Sequence, residues 1–342
     1  MKTPKLVYVQ DDQPGWRRLR RGRGFSYVTM SGAPVRDANA LQRIRQMAIP
    51  PAYTNVWICP SARGHLQATG RDARGRKQYR YHPAWQAQQD QHKFDRMLEF
   101  GRALPRIRRA VARHLRGPEL GLDTVVAAIV RLLDRTAMRV GNEAYTADNG
   151  SFGLTTLRDR HVHAKASELL ITFQGKSGIE QKAQLKDPLA ARIVQRCQEL
   201  PGQLLFQYID ATGKRQPVRS THVNAYLRRV SGHAFTAKEF RTWHASVQAL
   251  DLLVDMGPLP LSDARLAKSR WDEVVRQVAR QIGNTQAVCR KFYIHPAVQQ
   301  CLEKRPAGWP VAGRVSPSRG LHRAECALLK LLELRTLPGS RA

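Results

Sequence analysis

The chain is poor in sulfur and in acid. Its five cysteines (Cys59, Cys197, Cys289, Cys301 and Cys326) are odd in number, scattered, and form no C-x-x-C pair. This excludes a disulfide scaffold and a cysteine-based zinc site, and points to reduced thiols in a cytoplasm. No apolar run is long enough to span a bilayer, and there is no signal peptide or lipidation motif, so no membrane association is expected. Acidic residues number 27 against 57 lysines and arginines, a formal net charge of +30 on 342 residues. Such an excess marks a binder of polyanions, nucleic acid being the usual one. There are no internal repeats.

Motifs for nucleotides and metals are missing as well. "QGKS" ends like a phosphate-binding loop, but Leu170 stands where the first glycine is required. "GRDARGRK" has Gly70 and Gly75 at the right spacing and Arg76 in place of the lysine, and "GRGFSY" lacks the third glycine of a dinucleotide fingerprint. His161 and His163 could lie on one side of a strand, but no third metal ligand is near, and exposed strand residues explain them better. No cofactor, metal or nucleotide is expected. A nucleic-acid enzyme without them must stabilise developing charge with cationic side chains.

The pattern predicts an α+β chain with two domains. Residues 1–90 form a small strand-rich domain: "GFSYVTMSG", "NVWICP" and "GHLQATG" read as strands, with a helix over 38–47 capped by Asp37 or Asn39 and a tight turn at Asp72–Gly75. Arg17, Arg18, Arg20, Arg21 and Arg23 in "WRRLRRGRG" are expected to face phosphate or solvent. Residues 91–342 form a larger, mostly helical domain. There "DTVVAAIVRLLDRTAM" places Val125, Val126, Ile129, Leu132 and Leu133 on one face, with Asp123 as N-cap. Thr236 and Glu239 form a capping box, so Arg241 lies in the first turns of a helix whose Phe240 and Trp243 are core residues. "ELLITF" and "IEQKAQL" form a hairpin with Lys176 at its tip. The tail, 303–342, has a Pro/Gly-rich linker and a final helix at 321–335.

Cutting a phosphodiester without metal needs a nucleophile, cations on the non-bridging oxygens and an acid for the leaving oxygen. Candidates are Arg139 in "AMRVGNEAY", Lys176, Arg241 in "KEFRTWH", Asn284 past a helix closed by Gly283, and Tyr293 in "AVCRKFYIHPAV", where Pro296 is expected to end the helix. Taken alone, Tyr293 reads as a packing aromatic, Arg139 as a partner of a helix C-terminus, and Lys176 as a solvated turn residue. Together the set resembles the bacterial type IB DNA topoisomerases, similar in size to the poxvirus enzymes. "AIPPAYTNVWICP" and "GHLQATGRDARGRKQYRYHPAW" carry the same resemblance, which runs from about Trp16 to His295.

The resemblance implies a catalytic domain of the tyrosine recombinase/type IB topoisomerase kind, and an isomerase that relaxes supercoiled double-stranded DNA without metal or ATP. Tyr293 would hold the 3′ phosphate covalently and release a 5′ hydroxyl. Arg139 and Arg241 would grip the non-bridging oxygens, Lys176 would protonate the 5′ oxygen, and Asn284 would donate a further hydrogen bond. Gln78, Tyr79, Arg80, Tyr81, Tyr145 and Lys238 would contact DNA, with a single copy clamped around the duplex. Asn284 departs from the histidine of poxvirus and nuclear members, so this position carries no charge and does not titrate. Asn142 departs from a base-contacting lysine, so the poxvirus sequence preference does not carry over. The rivals are a tyrosine site-specific recombinase and a basic architectural DNA-binding protein. Lys238, where recombinases have histidine, and the strand-rich N-terminal domain favour the topoisomerase.

Overall fold

A computed structural model of the chain describes residues 5–73, 75–143, 146, 150–257, 264–304, 316–318 and 320–336. The chain divides into two compact units, Met1–Lys93 and Phe94–Ala342.

The first unit is an antiparallel sheet in the order β2-β1-β3-β4-β5. Its strands are β1 (Trp16–Arg21), β2 (Gly24–Val28), β3 (Thr54–Ile58), β4 (Leu66–Arg71) and β5 (Lys77–Tyr81). Helix α1 (Ala38–Gln46) starts at Asp37, whose Oδ1 accepts from the Ala40 N–H at 2.7 Å. Ile44, Val56, Ile58 and Ala68 form its small core. The turn expected at Asp72–Gly75 closes with a Gly75 N–H to Asp72 carbonyl bond of 2.8 Å.

The arginine-rich stretch is strand β1, and one of its arginines faces inward. Arg18 donates to the carbonyls of Ile49 (3.1 Å), Pro50 (3.0 Å) and Tyr53 (2.5 Å), and lies over the Phe25 ring. It therefore pins the loop after α1 instead of facing phosphate or solvent, whereas Arg17, Arg20, Arg21 and Arg23 are exposed. Arg43 plays a similar part, donating to the Cys59 and Pro60 carbonyls.

The second unit is built around α3 (Leu122–Thr136), which follows α2 (Pro83–His114). A one-faced helix was expected, but α3 is buried nearly all round, from Thr124 to Val130 and from Leu132 to Asp134. Its N-cap is Gly121. Asp123 lies inside the first turn, where its charge suits the helix dipole and pairs with Arg229. Around it lie α4 (Pro188–Gln198), α5 (Ser220–Ser231) and α6 (Ala237–Asp255).

The expected hairpin is β7 (Glu168–Gln174) with β8 (Glu180–Lys186), joined by a helical turn at Lys176–Gly178. A third strand, β6 (Val162–Lys165), completes the sheet, and Leu169, Ile171 and Phe173 of β7 point into the core. His163 is an exposed strand residue, as expected. His161 is not on the strand, because its Nδ1 accepts the Arg158 N–H at the end of a short helical turn. A small hairpin, β9 (Gln207–Ile209) and β10 (Arg215–Pro217), precedes α5. Helices α7 (Ala264–Gln281), α8 (Gln286–Phe292), α9 (Pro296–Lys304) and α10 (Arg323–Thr336) follow. All five cysteines are buried. Among the described residues no helix is long and apolar enough to cross a membrane, and no group of acidic, histidine or cysteine side chains could hold a metal.

The final helix is tied in by a buried ionic network. Arg108 donates to both oxygens of Asp134 (2.8 and 2.9 Å) and both of Glu325 (2.7 and 2.8 Å), and Trp243 Nε1 donates to Glu325 at 3.1 Å. Burial pushes the Glu325 carboxyl up, but bonds from Arg108, His322 and Trp243 and the Arg108 charge hold it at about 2 against an ordinary 4.5. A depressed folded-state value contributes stability above the unfolded value, and this is lost as pH falls towards 2. Glu325→Gln should cost roughly 3 kcal/mol at pH 7, the low end for a broken buried pair, because Arg108 keeps Asp134. Urea midpoints of the two proteins should converge as pH falls from about 5 to 2; a pH-independent gap would mean that the charge contributes little.

Candidate active site

Four of the candidate residues converge where three helices end. Helix α6 opens with the expected box: the Thr236 N–H donates to Glu239 Oε2 at 3.0 Å, and Lys238 N–H donates to Thr236 Oγ1 at 3.4 Å. This fixes the first turn and directs Arg241 inward, where it is 3% exposed. Its Nη1 donates to the Ala137 carbonyl and its Nη2 to the Ile282 carbonyl at 2.6 Å. Both acceptors are free of helical partners because their helices stop there. Ala137 ends α3 in a left-handed conformation (φ 53°), and Gly283 does the same after α7 (φ 59°). Glycine suits position 283 because its φ of 59° is a conformation that L side chains rarely adopt; the Gln181 amide beside it is the far end of a flexible side chain and could move aside for a Cβ.

Arg139, just beyond Ala137, reaches within 3.5 Å of the Gly283 carbonyl oxygen. Asn284 is held by its N–H on the Ala279 carbonyl (2.9 Å), while its Nδ2 is buried without a hydrogen-bond partner among the described residues. A buried donor left unmade costs about 1–3 kcal/mol, so this one has a donor to offer to a ligand oxygen or a water.

Tyr293 caps α8, its N–H on the Cys289 carbonyl at 3.0 Å. Pro296 does not end this helix. It opens α9 at a position where its missing N–H costs nothing, and α8 stops on its own at Phe292. The Tyr293 ring centroid lies 5.3 Å from the Arg241 guanidinium. Burial raises the phenol pKa. The charges of Arg241, Arg139 and Lys238 outweigh it, so the net shift is downward. Arg241 is brought down to about 10, by burial first and by Arg139 second, with Tyr293 opposing, and so stays charged at neutral pH.

Lys176 is exposed on the β7–β8 tip. Gln181 of β8, lying against Gly283, sets the base of that hairpin beside the Asn284 turn. Lys238 is exposed, and its charge adds to the field on Tyr293. Tyr145 lies outside the described residues. In the first unit, Tyr79 and Tyr81 are exposed and stacked, with centroids 6.0 Å apart, as strand alternation requires. Arg80 is exposed beside them, and Gln78 is half-buried, its amide on Asp72 at 2.9 Å. The backbone carbonyls that orient Arg241, and Ser246 behind Tyr293, were missed in the sequence; no local pattern marks a carbonyl as an acceptor for a distant side chain.

Two family models match. The catalytic core of eukaryotic DNA topoisomerase I aligns with residues 82–306, and the N-terminal domain of bacterial DNA topoisomerase IB with residues 24–72. DNA topoisomerase 1B of Acanthamoeba polyphaga mimivirus is 29% identical over 297 residues, covering 85% of this chain and 88% of the viral one. DNA topoisomerase 1B of Vaccinia virus (strain Copenhagen) is 20% identical over 282 residues, covering 80% and 85%. DNA topoisomerase 1 of Mycosarcoma maydis is 25% identical over 182 residues, 48% of this chain and 18% of the fungal one.

Proposed function

The chain belongs to the type IB DNA topoisomerase family and is a DNA topoisomerase, and from that premise we propose that Tyr293 is its nucleophile, Arg139, Arg241 and Asn284 its phosphate-binding groups, and Lys176 its general acid. The observation that carries this reading is the convergence of Tyr293, Arg241 and Arg139 at three helix ends, with the Arg241 guanidinium over the Tyr293 ring and both arginines held by the carbonyls of those ends. The Tyr293 oxygen, its proton released to solvent, would form a bond to phosphorus as the bond from phosphorus to the 5′ oxygen breaks. The 5′ oxygen would take a proton from Lys176, leaving a 3′-phosphotyrosyl linkage that religation reverses. The two guanidiniums and the unpartnered Asn284 Nδ2 would meet the charge that builds on the non-bridging oxygens.

The first unit would close on duplex DNA as a clamp through Gln78, Tyr79, Arg80 and Tyr81, with one copy acting alone. Tyr145 and Lys238 would contact DNA from the second unit. Relaxation of a plasmid excess without magnesium or ATP, with a covalent adduct trapped on the 3′ side of the break, is the test. An adduct on the 5′ side would overturn the polarity and Lys176 with it.

Two outcomes separate the roles. Arg241→Ala should slow cleavage by roughly 10²–10³ or more, whereas Asn284→His should retain activity because either side chain can donate to the same oxygen. Equal, severe loss in both would show that Asn284 does not hold that position. Lys176→Ala should be rescued by a strand with sulfur at the 5′ bridging position, since a thiolate leaves without a proton. A variant still slow on that strand would remove Lys176 as the acid.

A further inference from the structure

Residues 293–295 form the short link between α8 and α9, and one buried hydroxyl holds it from behind. Ser246 of α6 is fully buried. Its Oγ accepts the His295 N–H at 2.8 Å and lies 3.2 Å from the Tyr293 carbonyl and 2.9 Å from the Thr242 carbonyl, to either of which it can donate. A hydroxyl has one proton, so only one carbonyl is served at a time, while an Oγ lone pair accepts the His295 N–H in both cases. We propose that Ser246 is a positioning residue for the DNA cleavage reaction, setting the Tyr293 side chain in register with Arg241. This rests on the assignment of Tyr293 as nucleophile.

The connectivity supports it. Ser246 lies on the same helix as Arg241, little more than a turn further on, so one rigid element carries both the phosphate-binding arginine and the anchor of the nucleophile's backbone. Tyr293 itself lies outside α8, with φ −124° and ψ −33°, and is not fixed by helical geometry. Its N–H and that of Ile294 both turn back to the Cys289 carbonyl, which holds the start of the link to α8. Pro296 has no N–H to offer, so the His295 N–H is the last backbone donor before α9, and it goes to Ser246. Loss of the hydroxyl would take away the acceptor of that part-buried N–H and let the link shift. Displacement of a reacting group by about 1 Å can cost ~10²-fold in rate.

Ser246→Ala is tested in single turnover on end-labelled duplex DNA at saturating protein. The cleavage rate constant should fall roughly 10- to 100-fold with DNA affinity unchanged. Religation should slow by the same factor, because both directions share one transition state, so the end-point fraction of adduct should stay within about twofold. The loss should persist on the 5′-bridging sulfur strand, since the defect is on the attacking side. Ser246→Thr, which keeps an oxygen at the same branch, should recover rate. A merely structural role would lower the end-point adduct and leave the rate constant of the folded fraction unchanged, which would overturn the proposal. So would a wild-type rate constant in Ser246→Ala, or full rescue by sulfur. Tyr293→Phe run alongside separates the two readings. Adduct with Tyr293→Phe would remove the nucleophile assignment; no adduct there, with Ser246→Ala at full speed, would remove only the positioning role.

Discussion

Tyr293→Phe is expected to bind DNA as tightly as the unaltered protein and to form no covalent adduct. The substitution removes one oxygen. The ring is half-buried against the core of the second unit and lies over the Arg241 guanidinium, and a phenyl ring keeps both contacts. The interaction of the hydroxyl with the Arg241 charge goes, at roughly 1.5–3 kcal/mol, less than the stability of a typical domain. Chemistry has no such reserve, because covalent catalysis through an oxygen cannot proceed from a carbon. The measurement is a denaturing gel of end-labelled DNA, with binding followed separately by gel shift and folding by thermal melt. Protein-linked label on the variant would sink the assignment. A tyrosine used only for packing would show the reverse pattern, with a lower melting temperature and chemistry intact.

Much of this arrangement was legible because its signals are local. Asp37 and the Thr236–Glu239 box lie within a turn of what they cap, and strand alternation alone sets Tyr79 beside Tyr81. What escaped was set by partners far along the chain. Arg18 reads as one of several surface arginines until the loop containing Pro50 folds over it. Arg241 reads as a first-turn cation until Ala137 and Ile282, from two other helix ends, offer their carbonyls. Asp123 was the best N-cap by residue type, but α3 starts two residues earlier at Gly121, where backbone and not side-chain chemistry sets the boundary. Ser246 was invisible for the same reason: its partner is a backbone donor at His295. The residue types at the site came from the resemblance, and their geometry from contacts that no short window of sequence contains.

The affinity for DNA is expected to fall by about 10³–10⁵ between 50 and 200 mM salt, as for a protein that contacts roughly 6–10 phosphates. The net charge of +30 gives the driving term, but not every cation counts. Arg18, Arg43, Arg108 and Arg241 are turned to internal carbonyls or carboxylates. Of these, only Arg241 is proposed to meet a phosphate. The contrast within β1 makes the expectation specific. Arg20 is exposed, and if it meets a phosphate, Arg20→Ala should lower the slope of log affinity against log salt by about 0.9 without changing the melting temperature. Arg18→Ala should leave the slope alone and destabilise the first unit, because three carbonyls lose their donor. Turnover should rise with moderate salt wherever release from DNA limits the cycle. A slope near zero would remove the encircling clamp, and a slope change in Arg18→Ala without loss of stability would mean that this arginine leaves its carbonyls for DNA.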